Sequence, residues 1–437
     1  MVAVVLSTWL LAPAVFGQQR SVVPGGVFQP VGYGGGCGCA ACDSGKGTGG
    51  GGGTARVTDG GGDGLGGGMG GGGVAEGPTA EDYGLLAGEF GGFRGALSAA
   101  PDMIGDFFGG GYRMRMLSAR QVYDPDYGQT DFEHGATIPI AAGDRRFKIA
   151  DNNRPIPTDR FFVNYNHFSN AVIRSDGPGA DVDRAVFGLE KTFRDGLWSF
   201  EFRIPFASGL DADQARFDGD NLATEFGNVA FALKRLVYGS PTLAAAVGLG
   251  MVIPTAEDAT LSWTPADAPI VIIENEALYL QPFFGVLWTP NERVFTQLFA
   301  QLDFDTNGNT VRVPRWQGQG GTPGVIQDQS LLYLDYSFGY WLFRDPCSCR
   351  CLTGLAPMLE LHYTTTLQDS DTIYPGLYQT DVVTNFYNRQ DVLNLTAGLC
   401  LELRGTSYLR VSAVAPLKDD GDRVFDGEIN AQFVARY

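Results

Sequence analysis

Histidine is nearly absent, with three residues in 437, and no apolar run beyond the N-terminal segment reaches the roughly 18 to 20 residues that a membrane-spanning helix needs. The first shortage limits general-base and nucleophilic chemistry that relies on imidazole, since His134, His167 and His362 are the only histidines. The second excludes a helical membrane protein. Basic residues are outnumbered, 31 against 49 acidic ones, for a net charge of -18, and no concentrated basic face relieves that balance. A chain this negative is repelled by phosphate backbones, so nucleic acid is excluded as a partner.

What the chain does have is glycine, 62 residues placed very unevenly. An apolar run from Val2 to Leu11 is followed by the small-residue steps Ala12-Pro13-Ala14 and Val15-Phe16-Gly17, which reads as a signal peptide over 1–17, although no Lys or Arg precedes Arg20. Residues 18–80 hold the glycine runs Gly49 to Gly53 and Gly70 to Gly73 and little that can be buried. Such a composition cannot offset the entropy of ordering and predicts a disordered Gly/Cys-rich leader. Residues 81–160 regain Phe, Leu and Ile without a clear period, and predict an irregular pre-barrel segment or plug.

From Phe161 to the end, residues 161–437, the pattern changes to period two, the mark of strands with one apolar face. Trp198, Phe200, Phe202, Ile204 and Phe206 alternate with Ser199, Glu201 and Arg203. Leu332, Leu334, Tyr336, Phe338, Tyr340 and Leu342 oppose Tyr333, Asp335, Ser337 and Gly339. Leu393, Leu395, Ala397, Leu399, Leu401 and Leu403 oppose Asn394, Thr396, Gly398 and Glu402. Weaker stripes run Leu355 to Tyr363, Leu409 to Ala415 and Ile429 to Tyr437, and further segments start near Phe161, Arg184, Phe226, Leu243, Ala277 and Val294. The total is about twelve strands, an even number. Their connections alternate long and short, from Ser169–Asp183 (long) and Arg194–Leu197 (short) onward, as outer loops and periplasmic turns do. The fold class is therefore all-β, a transmembrane antiparallel β-barrel with a disordered leader. A soluble two-sheet core also produces alternation, but it gives no reason for alternating loops. The last segment ends on Tyr437 with Phe433 and Ile429 on the same face, an aromatic-ended strand of the kind the barrel-assembly machinery recognises.

The stretch Gly227-Asn228-Val229-Ala230-Phe231-Ala232-Leu233-Lys234-Arg235-Leu236-Val237, the turn Gly239-Ser240-Pro241, and Val247-Gly248-Leu249-Gly250-Met251-Val252-Ile253-Pro254-Thr255 resemble a hairpin of the outer-membrane transporters associated with the MetA pathway of phenol degradation, which are broadly FadL-like. The resemblance spans Arg184 to Thr255 and implies a transport barrel. It carries no functional residue across. The Gly-rich leader with clustered cysteines resembles secreted planctomycete proteins.

The seven cysteines lie as Cys37, Cys39, Cys42; Cys347, Cys349, Cys351; and Cys400. The barrel topology puts all of them toward the periplasmic side, and an oxidising compartment favours disulfides between leader and turn; only Cys39 and Cys42 have a zinc-type spacing. The inward face mixes charge with aromatics. Its lumen-lining candidates are Glu201, Arg203, Lys234, Phe283, Phe295, Phe299, Asp335, Glu360, His362 and Arg410. His362 beside Glu360 is a pair a barrel hydrolase could use, but no Ser or Asp spacing completes a site, and a satisfied lumen histidine is favoured. Small inward residues Ala230, Ala232, Ala244, Ala246, Gly248 and Gly250 predict a recessed wall facing the phenylalanines, hence a groove for small, partly apolar solutes. Acidic loop residues (Asp211, Asp213, Asp218, Asp220, Glu257, Asp258, Asp419, Asp420, Asp422) are either Ca²⁺ ligands or simply solvated; without EF-hand spacing, solvation is favoured. No cofactor motif is present. The sequence thus points to a non-enzymatic outer-membrane channel or passive transporter in contact with lipid and small solutes, with a non-transporting anchor as the alternative.

Overall fold

The computed structural model describes residues 96–107, 111–124, 128–139, 146–172, 180–208, 215–216, 224–263, 268–316, 319–346, 348, 350–375, 382–385, 388–418 and 422–437. The signal peptide and leader expected over 1–80 lie outside them, as do Cys37, Cys39, Cys42, Cys347 and Cys349.

Twelve long strands carry the fold: β1 (Arg160–Val172), β2 (Ala180–Phe193), β3 (Trp198–Ser208), β4 (Val229–Gly239), β5 (Leu243–Ile253), β6 (Tyr279–Trp288), β7 (Val294–Asp305), β8 (Ser330–Tyr340), β9 (Leu352–Gln368), β10 (Asp391–Leu403), β11 (Ser407–Pro416) and β12 (Gly427–Arg436). Each pairs antiparallel with its sequence neighbour, and β12 pairs with β1 from Gly427↔Ser169 to Arg436↔Arg160, so the sheet closes on itself. Closure removes the two edges that an open sheet would leave unpaired. The predicted all-β, twelve-stranded barrel is the observed architecture.

Burial follows the period-two pattern, with one face of each strand exposed and apolar. Phe187, Leu189, Phe200, Leu298, Tyr336, Phe338, Leu359, Leu361 and Leu399 are all exposed large side chains, whereas Arg160, Glu190, Glu201, Asp335, Glu360 and Arg410 are buried inside. Apolar outside and charged inside is the reverse of a water-soluble protein, and it fits a wall whose outer solvent is hydrocarbon. Short turns close one end. In the β2–β3 turn Arg194, Asp195 and Gly196 all adopt positive φ (51°, 59° and 78°), the conformation that matches the twist of a tight hairpin.

The described parts of the long connections at the other end carry strands of their own. They build a five-stranded sheet ordered Gln319–Ile326, Asn309–Trp316, Ala268–Ile273, Ala259–Trp263, Ala215–Arg216. A second sheet of four strands joins Thr372–Ile373 and Val382–Asn385 to a hairpin, Gly111–Asp124 with Gly128–Pro139, that comes from ahead of the barrel in sequence. Val383 of the second sheet packs with Leu261, Val271, Ile273, Val311 and Ile326 of the first, giving this end an apolar core of its own.

Candidate functional site: the occupied lumen

The hairpin 111–139 sits at the long-loop end, yet the residues on both sides of it run through the barrel. Residues 96–107 form one arm and residues 146–159 the other, the second leading directly into β1. The arms bond to each other, Met103 N–H to Asn153 O at 2.7 Å and Asn152 N–H to Ile104 O at 3.1 Å. Their closest approach requires Gly105, whose φ is +94° and where a Cβ would lie 2.7 Å from Asp151 Cα.

Only Ala96–Ala99 of these arms is helical, so most of their backbone N–H and C=O groups lack the partners that regular structure supplies. The wall supplies them. Glu360 accepts the Ile104 and Gly105 N–H groups at 2.9 Å each, and Ser337 Oγ donates to it at 3.0 Å. Arg410 donates to Asp102 O at 2.5 Å and Met103 O at 2.9 Å. Gln432 reaches Ile104 O, Gln297 reaches Pro101 O, and both Gln281 and Gln301 reach Phe147 O. Lys234 holds Asn153 Oδ1 and Arg154 O at 2.9 and 2.8 Å.

Ion pairs fasten the arms at two levels. Toward the short-turn end Asp102 meets Arg436 at 2.8 Å and Arg160 at 3.1 Å, with Arg410 and Arg154 each at 3.8 Å. Burial would push the Asp102 carboxyl up, but Arg436, Arg160, Arg410 and Arg154 outweigh it and hold it well below the usual carboxylate range. Arg160 also binds Glu190 and Glu201, both at 2.6 Å, and Lys234 meets Glu190 at 3.0 Å. Arg203 pairs with Glu201 at 2.6 Å, and Arg184 with Asp151 at 3.2 Å. Nearer the long loops, Lys148 lies 2.6 Å from Asp106 and 2.7 Å from Asp335, and Arg146 lies 3.2 Å from Asp303. Burial lowers the Lys148 ammonium's hold on its proton; Asp106 and Asp335 more than restore it.

His362 Nδ1 contacts Asp335 at 2.8 Å and Asp106 at 3.6 Å. Ligand atoms of Asp106, Asp335 and His362 fall within 4.8 Å of one another, a spacing a metal would accept. The Lys148 ammonium already stands between both carboxylates, so the cation position is filled by the chain itself. His362 with Glu360 is likewise an ion-network pair, with Glu360 occupied by arm N–H groups.

All ten lumen-lining candidates point inward and are buried, each no more than 5% exposed. They face the arms rather than an open bore. The recessed wall expected on β4 and β5 is not free. Phe283 belongs to β6, which pairs with β5, and its ring lies across Gly248 close enough that a Cβ there would meet it at 2.1 Å; Phe147 covers Gly250 in the same way, at 2.8 Å. Phe295 lies over Gly339 and Phe299 over Gly285. The glycines make room for cross-strand rings, and the predicted apolar groove is filled by them.

Sequence reasoning missed Asp102, Asp106, Arg146, Lys148, Asp151 and Arg160. The available sign was the density of charged and amide residues over 144–154 inside a segment otherwise marked as irregular. Of the disulfide candidates only Cys351 is described; it is exposed and free, while Cys400 is free and buried in the barrel interior with Trp341 and Met358. No disulfide occurs among the described residues. Of the acidic loop residues, Asp211, Asp213, Asp218, Asp220, Asp419 and Asp420 lie outside the described residues. Asp258 accepts the Asn275 N–H and Asp422 the Asp391 N–H, both ordinary loop contacts.

No protein-family model matches the chain, and no curated protein matches it. Among solved structures the chain is similar to an outer membrane channel from Pseudomonas putida F1, at 11% identity and a TM-score of 0.42 over 68% of this chain and 98% of that one. It is also similar to the NanC porin, at 7% identity and a TM-score of 0.37 over 63% and 99%. The Pseudomonas putida toluene transporter TodX is similar at 7% identity and a TM-score of 0.31 over 65% and 91%.

Proposed function

We propose that the chain is an outer-membrane, porin-like channel or passive transporter for small solutes, closed in the present state by its own residues 96–107 and 146–159 acting as a plug. The observation that carries this reading is the chemistry of the plug contact. Besides the apolar packing of Leu97, Met103, Ile104, Phe147 and Ile149 against the wall, polar and charged wall side chains hold the arms' own backbone groups, so the segment is fastened at named bonds that single substitutions release. A barrel of about twelve strands is also wide enough to leave a passage once such a segment shifts. The resemblance of Arg184 to Thr255 to phenol-pathway transporters agrees with a transport role, and the exposed Ile429 and Phe433 on one face of β12 agree with recognition by barrel-assembly machinery. Export through the segment 1–17 belongs to the same reading.

A second reading, a non-transporting outer-membrane anchor, is favoured by one feature. The plug continues into a hairpin that is itself a strand pair of the outer sheets, paired to Val382–Asn385, so it cannot leave the barrel whole. Planar-bilayer recording and liposome swelling separate the two. Wild-type chain gives small or rare conductance steps, and Asp102→Asn, which loosens the lower clasp, raises them. If neither protein passes ions or solutes after verified insertion, the anchor reading replaces the channel.

A further inference from the structure

The barrel interior pairs nearly all its carboxylates with arginine, lysine or backbone N–H groups, and Glu428 stands apart. It is 2% exposed, on the inward face of β12, and Oε2 has no hydrogen-bond partner. Its Oε1 accepts from the side-chain amides of Asn166 at 2.6 Å and Asn430 at 3.3 Å. The charged groups that act on it are Asp106 and Asp151, which repel the carboxylate, and Arg184, which is engaged with Asp151 at 3.2 Å. A buried carboxylate without a counter-charge is costly and must be neutralised.

The surroundings distinguish the ways of doing so. Asn166, Asn430 and Ser412 form one row across β1, β12 and β11, since Asn430 pairs with Asn166 on one side and with Ser412 on the other. All three are at least nine-tenths buried, and Asn166 Oδ1, Asn430 Oδ1 and Ser412 Oγ, like Glu428 Oε2, have no partner among the described residues. A proton on Glu428 would supply a single donor. That leaves the other buried oxygens unsatisfied, a state that costs stability. A metal cation neutralises the carboxylate and takes its remaining ligands from such neutral oxygens.

We propose that Glu428, Asn166, Asn430 and Ser412 form a binding site for a hard, oxygen-liganded cation, on the barrel wall toward the long-loop end. The donor set is carboxylate, amide and hydroxyl oxygen, without thiol or imidazole, which suits Ca²⁺ or an alkali cation and not zinc or copper. The site is separate from the Asp106–Asp335–His362 group, whose cation position Lys148 fills. It does not depend on the barrel conducting.

The test uses the full chain refolded in detergent, with folding verified by heat-modifiable gel mobility, and titrates CaCl₂, NaCl and choline chloride in turn while following calorimetric heat and the unfolding midpoint. Wild type shows one saturable site for Ca²⁺ or Na⁺ and a raised midpoint, choline being inert. Glu428→Gln loses both responses, and Ser412→Val weakens binding while leaving the carboxylate in place. If Glu428→Gln and wild type respond alike, the acidic outer loops account for the binding and the proposal is overturned. It is equally overturned if wild type binds no cation, and a Glu428→Gln protein that is then more stable than wild type assigns Glu428 a proton instead.

Discussion

The two faces of the barrel wall are built on different principles. Outward, Phe187, Leu298, Phe338, Leu361 and Leu399 need no particular partner, because any apolar surrounding satisfies them. Inward, Glu360, Arg410, Arg160 and Lys234 each need a specific one, and they find it in arm residues far away in sequence: Ile104 is 256 positions from Glu360, and Asp102 308 from Arg410. The outer face is specified by composition and tolerates exchange within a class. The inner face is specified by pairing and does not.

The contrast breaks most severely at Asp102. Replacing it by Ala strips Arg160, Arg410 and Arg436 of their shared counter-charge, and the loss of a buried partner costs about 3–5 kcal/mol. Urea unfolding of the refolded protein should show that loss, with the plug detaching before the barrel opens; an unchanged profile would mean the clasp is not formed. On the outer face, Leu361→Arg puts a charge against lipid and costs about 2–4 kcal/mol in bilayers near the midplane. The penalty should shrink when unfolding is measured in detergent, and conductance should not respond.

Why one face could be read in advance and the other could not follows from these residues. Period two is a local property, visible in Trp198, Phe200 and Phe202 alternating with Ser199, Glu201 and Arg203, and together with alternating loop lengths it is enough for strand number, direction and closure. The orientation of the inward candidates comes from the same rule. What fills the interior is not local. Residues 96–107 and 146–159 have almost no secondary structure to announce them, and their order is imposed by the wall they touch. Phe283 was legible as inward, but that its ring covers Gly248 depends on the register of β6 against β5, which periodicity does not fix. The outer sheets were hidden for a related reason: Ala215–Arg216 and Thr372–Ile373 are only two residues long, and the longer strands lie between stretches of loop composition.

A gentler test falls within the wall itself. Gly248→Ala drives a methyl into the Phe283 ring, an overpacking worth about 1–3 kcal/mol. Phe283→Leu in the same chain should recover part of it, as measured by paired thermal melts; additive losses would place the ring elsewhere.

The smallest response is expected from pH. Asp102, held below its ordinary value of 3.8, contributes stability that is complete above that value and is lost as pH falls through its lower folded value. Lys148, held above its ordinary 10.5, contributes stability that is complete below that value and is lost as pH rises through the higher folded one. The Asp102 clasp should therefore stay fastened above about pH 4 and the Lys148 clasp below about pH 10, and protease resistance of residues 96–107 should fall as pH drops below the first limit or rises above the second. A marked loss near pH 6 would point to a histidine and away from these two clasps.

The central claim is that the chain's own residues 96–107 lie inside the barrel they precede. Ile104 and Gly398 report on it most directly, because a Cβ at Gly398 would stand 2.6 Å from Ile104 Cδ1, arm against wall. In a chain with its native cysteines changed to serine, Ile104→Cys and Gly398→Cys should form a disulfide on mild oxidation of the folded protein, giving a reductant-sensitive shift on denaturing gels. A protein that folds to a heat-modifiable barrel yet leaves both thiols free and equally open to a membrane-impermeant reagent would contradict the account.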